Sequence, residues 1–250
     1  GQIESWDVVN ESAVDYQNGA LIDNHTVSKT RYGLMPGDHD YTALKSAEKY
    51  FPAEVKLNIN DYHLTPAYKE QVERLIKRGC KIDIMGMQMH LFNPKQCIDI
   101  AEGKELQTPK QVRGYIESLK DLNIPLHLSE ITIAAPSTDE KGLMIQAIIA
   151  QNLYRLWFSM EYMMGITWWN VIDNCGLKNE PATSGIYTRD MQPKPVYHAL
   201  NNLINNEWKT NITTKADKQG RVAFRGFKGN YRITWTDKKG NEQTMEYYLE

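Results

Sequence analysis

Five short apolar runs, each followed by a longer amphipathic segment, set the strongest constraint on what this chain can become. Residues 5–9, 56–59, 82–89, 126–131 and 165–171 read as strands, and 41–50, 66–78, 109–122, 140–160 and 195–206 as helices. Alternation of this kind predicts a parallel sheet wrapped by helices, because strands linked through a helix return in the same direction. Punctuation supports the division: Thr65-Pro66 and Thr108-Pro109 read as an N-cap followed by proline at the first helical position, and Gly79 as a helix stop. Polar residues able to carry chemistry stand at the C-terminal end of every one of the five strands, where barrel enzymes of the eightfold β/α type keep their sites.

Beyond residue 207 the character changes. The segment 208–250 is charged and β-rich, with strands expected at 221–224, 231–235 and 243–248 and a hairpin turn in D-K-K-G-N, 237–241. Two domains are expected, 1–207 and 208–250, and a chain of 250 residues and 28.8 kDa is long enough for a large domain with a small appendage.

A net charge of -2 gives no footprint for nucleic acid or an anionic membrane surface and favours an uncharged partner. The 14 Tyr and 6 Trp outnumber the 5 Phe, a balance of rings with polar handles that suits sugar surfaces. Cys80, Cys97 and Cys175 show neither a disulfide framework nor metal-ligand spacing, although one bridge with one free thiol remains open. The apolar run 143–158 is broken by Gln and Arg, so no stretch reads as a membrane span. No signal peptide is visible, and because the chain opens inside a loop leading to a strand this says nothing about location.

Six strand-end motifs are most specific: S-W-D-V-V-N-E (5–11), N-I-N-D-Y-H (58–63), M-G-M-Q-M-H-L (85–91), L-H-L-S-E-I-T-I (126–133), G-I-T-W-W-N-V-I-D (165–173) and D-M-Q-P-K-P-V-Y (190–197). Their order and spacing resemble glycoside hydrolase family 10, the endo-β-1,4-xylanases, over residues 1 to about 205. The resemblance implies a (β/α)8 barrel of which this chain holds strands four to eight. It also implies hydrolysis of xylan with retention of configuration, with no cofactor and no metal. Glu11 matches the general acid/base and Glu130 the nucleophile; retaining enzymes hold such a pair roughly 5 to 5.5 Å apart. The charge of Glu130 is then expected to raise the pKa of Glu11.

By the same resemblance Asn10 holds the sugar 2-hydroxyl, Gln88 and His90 share a strand face as a substrate amide and the histidine of the nucleophile, and Trp169 forms the floor under the sugar. Trp168 is expected in the core. Asn60 and Tyr62 close the second strand as expected substrate-binding residues, with Tyr62 placed to stack on the leaving-group side. Asp7 is expected to be buried, supporting the site by a hydrogen bond.

The sequence departs from the pattern in three places. Thr132 stands where an acidic residue commonly backs the histidine. The stretch 174–180, N-C-G-L-K-N-E, replaces the segment bearing a second tryptophan. Three β/α units that would precede Trp6, and that supply a Lys and a His to the sugar site, have no counterpart. The expected partners are therefore xylan or xylo-oligosaccharides and an N-terminal barrel fragment of the same enzyme, with no nucleic acid and no membrane. The expected location is extracellular, periplasmic or at the cell surface. Alternative readings are a retaining hydrolase of another β-1,4-glycan, or a carbohydrate-binding fragment that is not catalytic alone.

Overall fold

The computed structural model describes residues 3–13, 16–17, 20–21, 38–62, 64 and 66–249, which fall into two compact units, Gly1–Tyr197 and His198–Glu250. His63 and the expected N-cap Thr65 lie outside the described residues.

In the first unit β1 (Ser5–Asn10) leads to a minimal antiparallel pair, β2 (Tyr16–Gln17) and β3 (Ala20–Leu21). There follow α1 (His39–Tyr50), β4 (Lys56–Asp61), α2 (Pro66–Lys77), β5 (Ile84–Leu91), α3 (Pro94–Ala101), α4 (Pro109–Glu117), β6 (Leu126–Ile133), α5 (Glu140–Phe158), β7 (Met163–Trp168) and α6 (Pro195–Asn202), whose residues from His198 onward belong to the second unit. The large strands form one parallel sheet in the order β1-β4-β5-β6-β7. All five expected strands are present, and four run one or two residues further toward the site than expected. The fifth stops at Trp168, short of the expected Val171.

Alternation within strands sorts side chains between helices and interior. Leu57 and Ile59 of β4 are buried, and Leu57 forms a cluster with Ala47 of α1 and Val55, against which Val8 and Phe51 pack. Asn58 and Asn60, on the opposite face, are buried as well. The Tyr68 hydroxyl of α2 lies 2.8 Å from the carbonyl of Ile59 and 2.7 Å from that of Gly86, donating to one at a time and fixing the helix over the β4 and β5 seam. Within the described residues β1 and β7 are the sheet edges, where Trp6 is 47% and Met164 55% exposed.

Helix α3 was not expected, although its start is written in the chain: the Asn93 side chain accepts from the Lys95 amide and Gln96 reaches back to the Asn93 amide, with Pro94 at the first turn. Thr108 and Gln111 cap α4 in the same reciprocal way. The helix expected over 109–122 ends at Glu117, and a separate turn, Lys120–Leu122, is stopped by Asn123 at φ +56°. Gly79 takes φ +77°, the left-handed geometry that closes α2. All three cysteines are free, Cys80 and Cys97 buried and Cys175 exposed, so the disulfide left open by the sequence is not made. Among the described residues no helix is long and apolar enough to cross a membrane.

The second unit contains one antiparallel hairpin, β8 (Gly229–Thr236) and β9 (Glu242–Leu249), pairing Tyr231 with Tyr247 and Ile233 with Met245. Its turn is the expected one. Asp237 accepts from the amides of Lys239 and Asn241, and Gly240 takes φ +86°. Residues 221–224 are not a strand: Arg221 closes a turn onto Asp217 through its backbone amide and its guanidinium.

The segment after β7 is locked by a buried ion pair. Lys194, 1% exposed, donates to Asp173 at 3.0 Å and to the carbonyls of Thr183 and Gly185 at 3.0 and 2.8 Å. Removing one partner of such a pair strands the other charge, so Lys194→Met should cost about 3 to 5 kcal/mol in urea unfolding. Adding Asp173→Asn should return part of that loss; an unchanged urea midpoint for the single variant would show that the pair holds nothing.

Candidate active site

Glu11 lies one residue beyond β1 in the left-handed region, φ +57°, a strained conformation for a residue with a Cβ. Neighbouring groups hold it there. Its amide donates to the Asn60 carbonyl at 2.9 Å, the Ala13 amide to Asp61 at 2.8 Å, and Gln71 of α2 to the Ser12 hydroxyl at 2.8 Å. Asn10 stands opposite Asn60 across the β1 and β4 ladder.

A second irregularity brings the other carboxylate to the same place. The β5 and β6 register shifts between Met87 and Gln88, so that Gln88 faces Glu130 directly. The Gln88 amide nitrogen then lies 2.9 Å from Glu11 Oε1, 3.2 Å from Glu130 Oε1 and 3.3 Å from Asn10 Oδ1. Joined through one nitrogen, the two carboxylate oxygens are no more than about 6 Å apart. From β4, Asn60 Nδ2 donates to Asn10 Oδ1 at 2.7 Å and to Glu130 Oε1 at 3.0 Å, while its own oxygen accepts from the Ser129 hydroxyl. Gly86 makes the space, since a Cβ there would meet Asn60 Oδ1 at 2.5 Å.

Burial, and then the charge of Glu11, push Glu130 up to about 7, against the opposing hydrogen bond from Asn60. The residue expected to carry the charge is thus itself raised, enclosed by Asn60, Gln88 and His90. His90 is driven the other way, to about 4, by burial that outweighs the charges of Glu180 and Glu11. It is therefore neutral at pH 7, and its 3.7 Å approach to Glu130 is no ion pair. The tautomer follows from its neighbours. Gln88 turns its NH2 to the carboxylates, so its oxygen, 3.2 Å from His90 Nε2, must accept from Nε2–H; Nδ1 then accepts from the Thr132 hydroxyl at 3.0 Å. A hydroxyl at position 132 suits a neutral ring, and the departure noted in the sequence becomes intelligible.

These groups line an open cleft of about 830 Å³. Of the expected residues, Asn10, Glu11, Tyr62, Gln88, His90, Glu130 and Trp169 lie on its wall, with Tyr62 52% and Trp169 43% exposed. Asn60, 1% exposed, stands behind the wall and orients Asn10 and Glu130. Asp7 accepts from Asn58 at 3.0 Å as expected, but it is exposed and not buried, since β1 is an edge strand. Trp168 is partly buried against Tyr154 of α5, ring centroids 6.5 Å apart. Sequence reasoning missed Phe92, stacked 4.3 Å from His90, and also Gln107, Tyr115 and Glu180 on the wall. Only the positive φ of Gln107, +52°, marks that residue, and it is invisible in sequence. Among the described residues no group of three or more His, Cys, Asp or Glu is arranged to hold a metal.

The family model described as Glycosyl hydrolase family 10 matches residues 1–203. The chain belongs to glycosyl hydrolase family 10. It is 26% identical to "Endo-1,4-beta-xylanase C" of Paenibacillus barcinonensis over 94% of this chain and 23% of that protein. It is 27% identical to "Exoglucanase XynX" of Acetivibrio thermocellus over 79% of this chain and 17% of that one. Among solved structures, an intracellular xylanase mutant from Thermoanaerobacterium saccharolyticum in complex with xylotetraose superimposes with a TM-score of 0.59 at 25% identity, covering 78% of this chain and 57% of that one. The family 10 chain thus has the α/β-barrel fold, and it spans about a quarter or less of those two relatives and just over half of the solved chain.

Two expectations follow for this family 10 site. Gly86→Ala forces the Asn60 amide aside, and the overpacking should cost about 1 to 3 kcal/mol by denaturant unfolding; no cost would mean that Asn60 is not pinned. Glu130 has a folded pKa raised above its ordinary 4.5. Stability that depends on its protonated form is complete below about 4.5 and is lost as pH rises through about 7. Glu130→Gln should remove that loss, so the gap in melting temperature favouring the variant should widen between pH 5 and pH 8.

Proposed function

We propose that this chain carries the catalytic part of an endo-1,4-β-xylanase that cleaves xylan with retention of configuration by double displacement. The observation that carries the reading is the single Gln88 nitrogen shared by Glu11 and Glu130, which keeps their oxygens within about 6 Å. An inverting site leaves roughly 6.5 to 9.5 Å between its carboxyl groups to admit a water; a retaining site needs only about 5 to 5.5 Å. In the first step Glu130 attacks the anomeric carbon while Glu11 gives its proton to the departing glycosidic oxygen. The C–O bond breaks and a glycosyl ester forms on Glu130. In the second step Glu11 takes a proton from water, the resulting oxygen attacks the same carbon, and Glu130 leaves as a carboxylate. Asn10 faces the sugar 2-hydroxyl, Tyr62 the leaving-group side and Trp169 the floor.

A relative named an exoglucanase favours a second reading, action on another β-1,4-glycan. Product analysis on xylan against a soluble cellulose derivative separates the two. Because intact xylan does not cross a bilayer, we propose that the enzyme works outside the cytoplasm, unlike the xylanase named intracellular above.

We further propose that the five parallel strands are the fourth to eighth of the barrel, closed between β7 and β1 by three more β/α units, with residues 208–250 as an appended β module. Exposed Trp6 and Met164 on the two edges support this, because an open parallel sheet leaves unpaired backbone and apolar surface in water.

Roles at the pair are tested with two substrates. Glu130→Ala should abolish turnover on all glycosides, whereas Glu11→Ala should keep activity on aryl xylosides with acidic leaving groups, which need little protonation. Equal losses on both substrates would remove Glu11 from the acid role. For closure, residues 1–250 alone should be inactive on xylan and lack a cooperative melt, and adding a polypeptide with the first three β/α units should restore both. Ordinary activity from the lone monomeric chain would refute that arrangement.

A further inference from the structure

The wall of the cleft holds a third carboxylate, Glu180, to which the reaction above gives no task. It sits in the segment that departs from the family pattern, in a turn where its amide donates to the Leu177 carbonyl at 2.9 Å. Its side chain is held by three donors. Oε1 accepts from the Trp169 indole nitrogen at 3.1 Å, and Oε2 from Asn170 Nδ2 at 2.7 Å and the Leu177 amide at 3.1 Å. Asn170 is itself buried and bonded to the Ser184 hydroxyl at 3.1 Å, which ties the carboxylate to the frame. A Cβ at position 176 would meet Glu180 Oε2 at 2.4 Å and Asn170 Nδ2 at 2.9 Å, so Gly176 keeps the space in which this arrangement fits.

Trp169 leaves β7 through a backbone bond to Ile131, and its ring is 43% exposed. An indole so poorly enclosed is free to change rotamer unless its one polar atom is held. We infer that Glu180 is the positioning residue for Trp169, fixing the indole plane as the floor for the sugar at the cleavage point through a charge-assisted hydrogen bond. The inference rests on the proposed reading of Trp169 as a sugar platform. Bonds to an ionised acceptor are about twice as strong as neutral ones, so a carboxylate holds the ring better than an amide would. The hydrogen bonds from Asn170, the Leu177 amide and Trp169 keep Glu180 below its ordinary value despite burial, so the acceptor stays ionised at working pH. The lone basic side chain on the described wall, His90, is neutral there.

A double-mutant cycle in the assembled enzyme tests the link, with kcat and KM on xylotetraose and the Trp169 indole N–H resonance as readouts. Glu180→Ala should lower kcat/KM by about 10²-fold, the scale of an ångström's misplacement, and expose the indole proton to solvent exchange. Glu180→Gln, which keeps one acceptor, should recover part of both. In a Trp169→Ala background, Glu180→Ala should cause little further loss, since there is no ring left to position. Fully additive losses, or an indole resonance unchanged in Glu180→Ala, would overturn the proposal. A wild-type enzyme inactive on xylotetraose would refute the substrate reading alone, because the indole resonance still reports whether Glu180 holds Trp169.

Discussion

Two carboxylates within hydrogen-bond reach of one amide nitrogen are the feature around which this site is arranged. Burial, and then the charge of Glu11 so close by, raise the proton affinity of Glu130. What makes the arrangement tolerable is that the Gln88 and Asn60 amides each turn an NH2 group toward the acids and carry no charge of their own. A lysine in their place would offset one of the two charges and pull the Glu130 proton affinity down. Amides orient without neutralising.

The backbone is built to deliver these groups. The register shift before Gln88 sets it opposite Glu130, the left-handed turn at Glu11 directs the end of β1 toward them, and the missing side chain at Gly86 admits Asn60. Helix α2 serves the same end from outside: Tyr68 pins it to the β4 and β5 seam, and Gln71 reaches the loop immediately after Glu11. The geometry of the acid pair is thereby tied to the packing of the helical layer, so loosening that layer would loosen the site.

Much of the fold was legible because periodicity reports burial. The β4 and β5 runs read as strands since parallel strands are covered on both faces, and Thr108, Gly79 and the 237–241 turn read correctly because capping and left-handed geometry are local chemistry. The misses have equally local reasons. Helix α3 spans only eight residues, too few for its period to stand out, and residues 221–224 have strand-like composition with no ladder to join. Asn60 was expected at the sugar because it ends a strand whose motif resembles family 10, yet its burial could be seen only once Gly86, Asn10 and Ser129 were placed around it.

By itself the sequence determined the parallel α/β plan and the strand ends that carry chemistry, because apolar period and residue type act over a few neighbours along the chain; the two acids were marked by their place in motifs that resemble family 10. Only the tertiary structure decided that burial raises Glu130, that His90 is a neutral ring served by Thr132, and that Glu180 grips the Trp169 indole. Those outcomes depend on desolvation and on hydrogen-bond partners such as Asn60 and Glu130, 70 positions apart, His90 and Thr132, 42 apart, and Trp169 and Glu180, 11 apart. Folding alone brings such groups together, and electrostatic energy depends on that final spacing and enclosure rather than on order in the sequence.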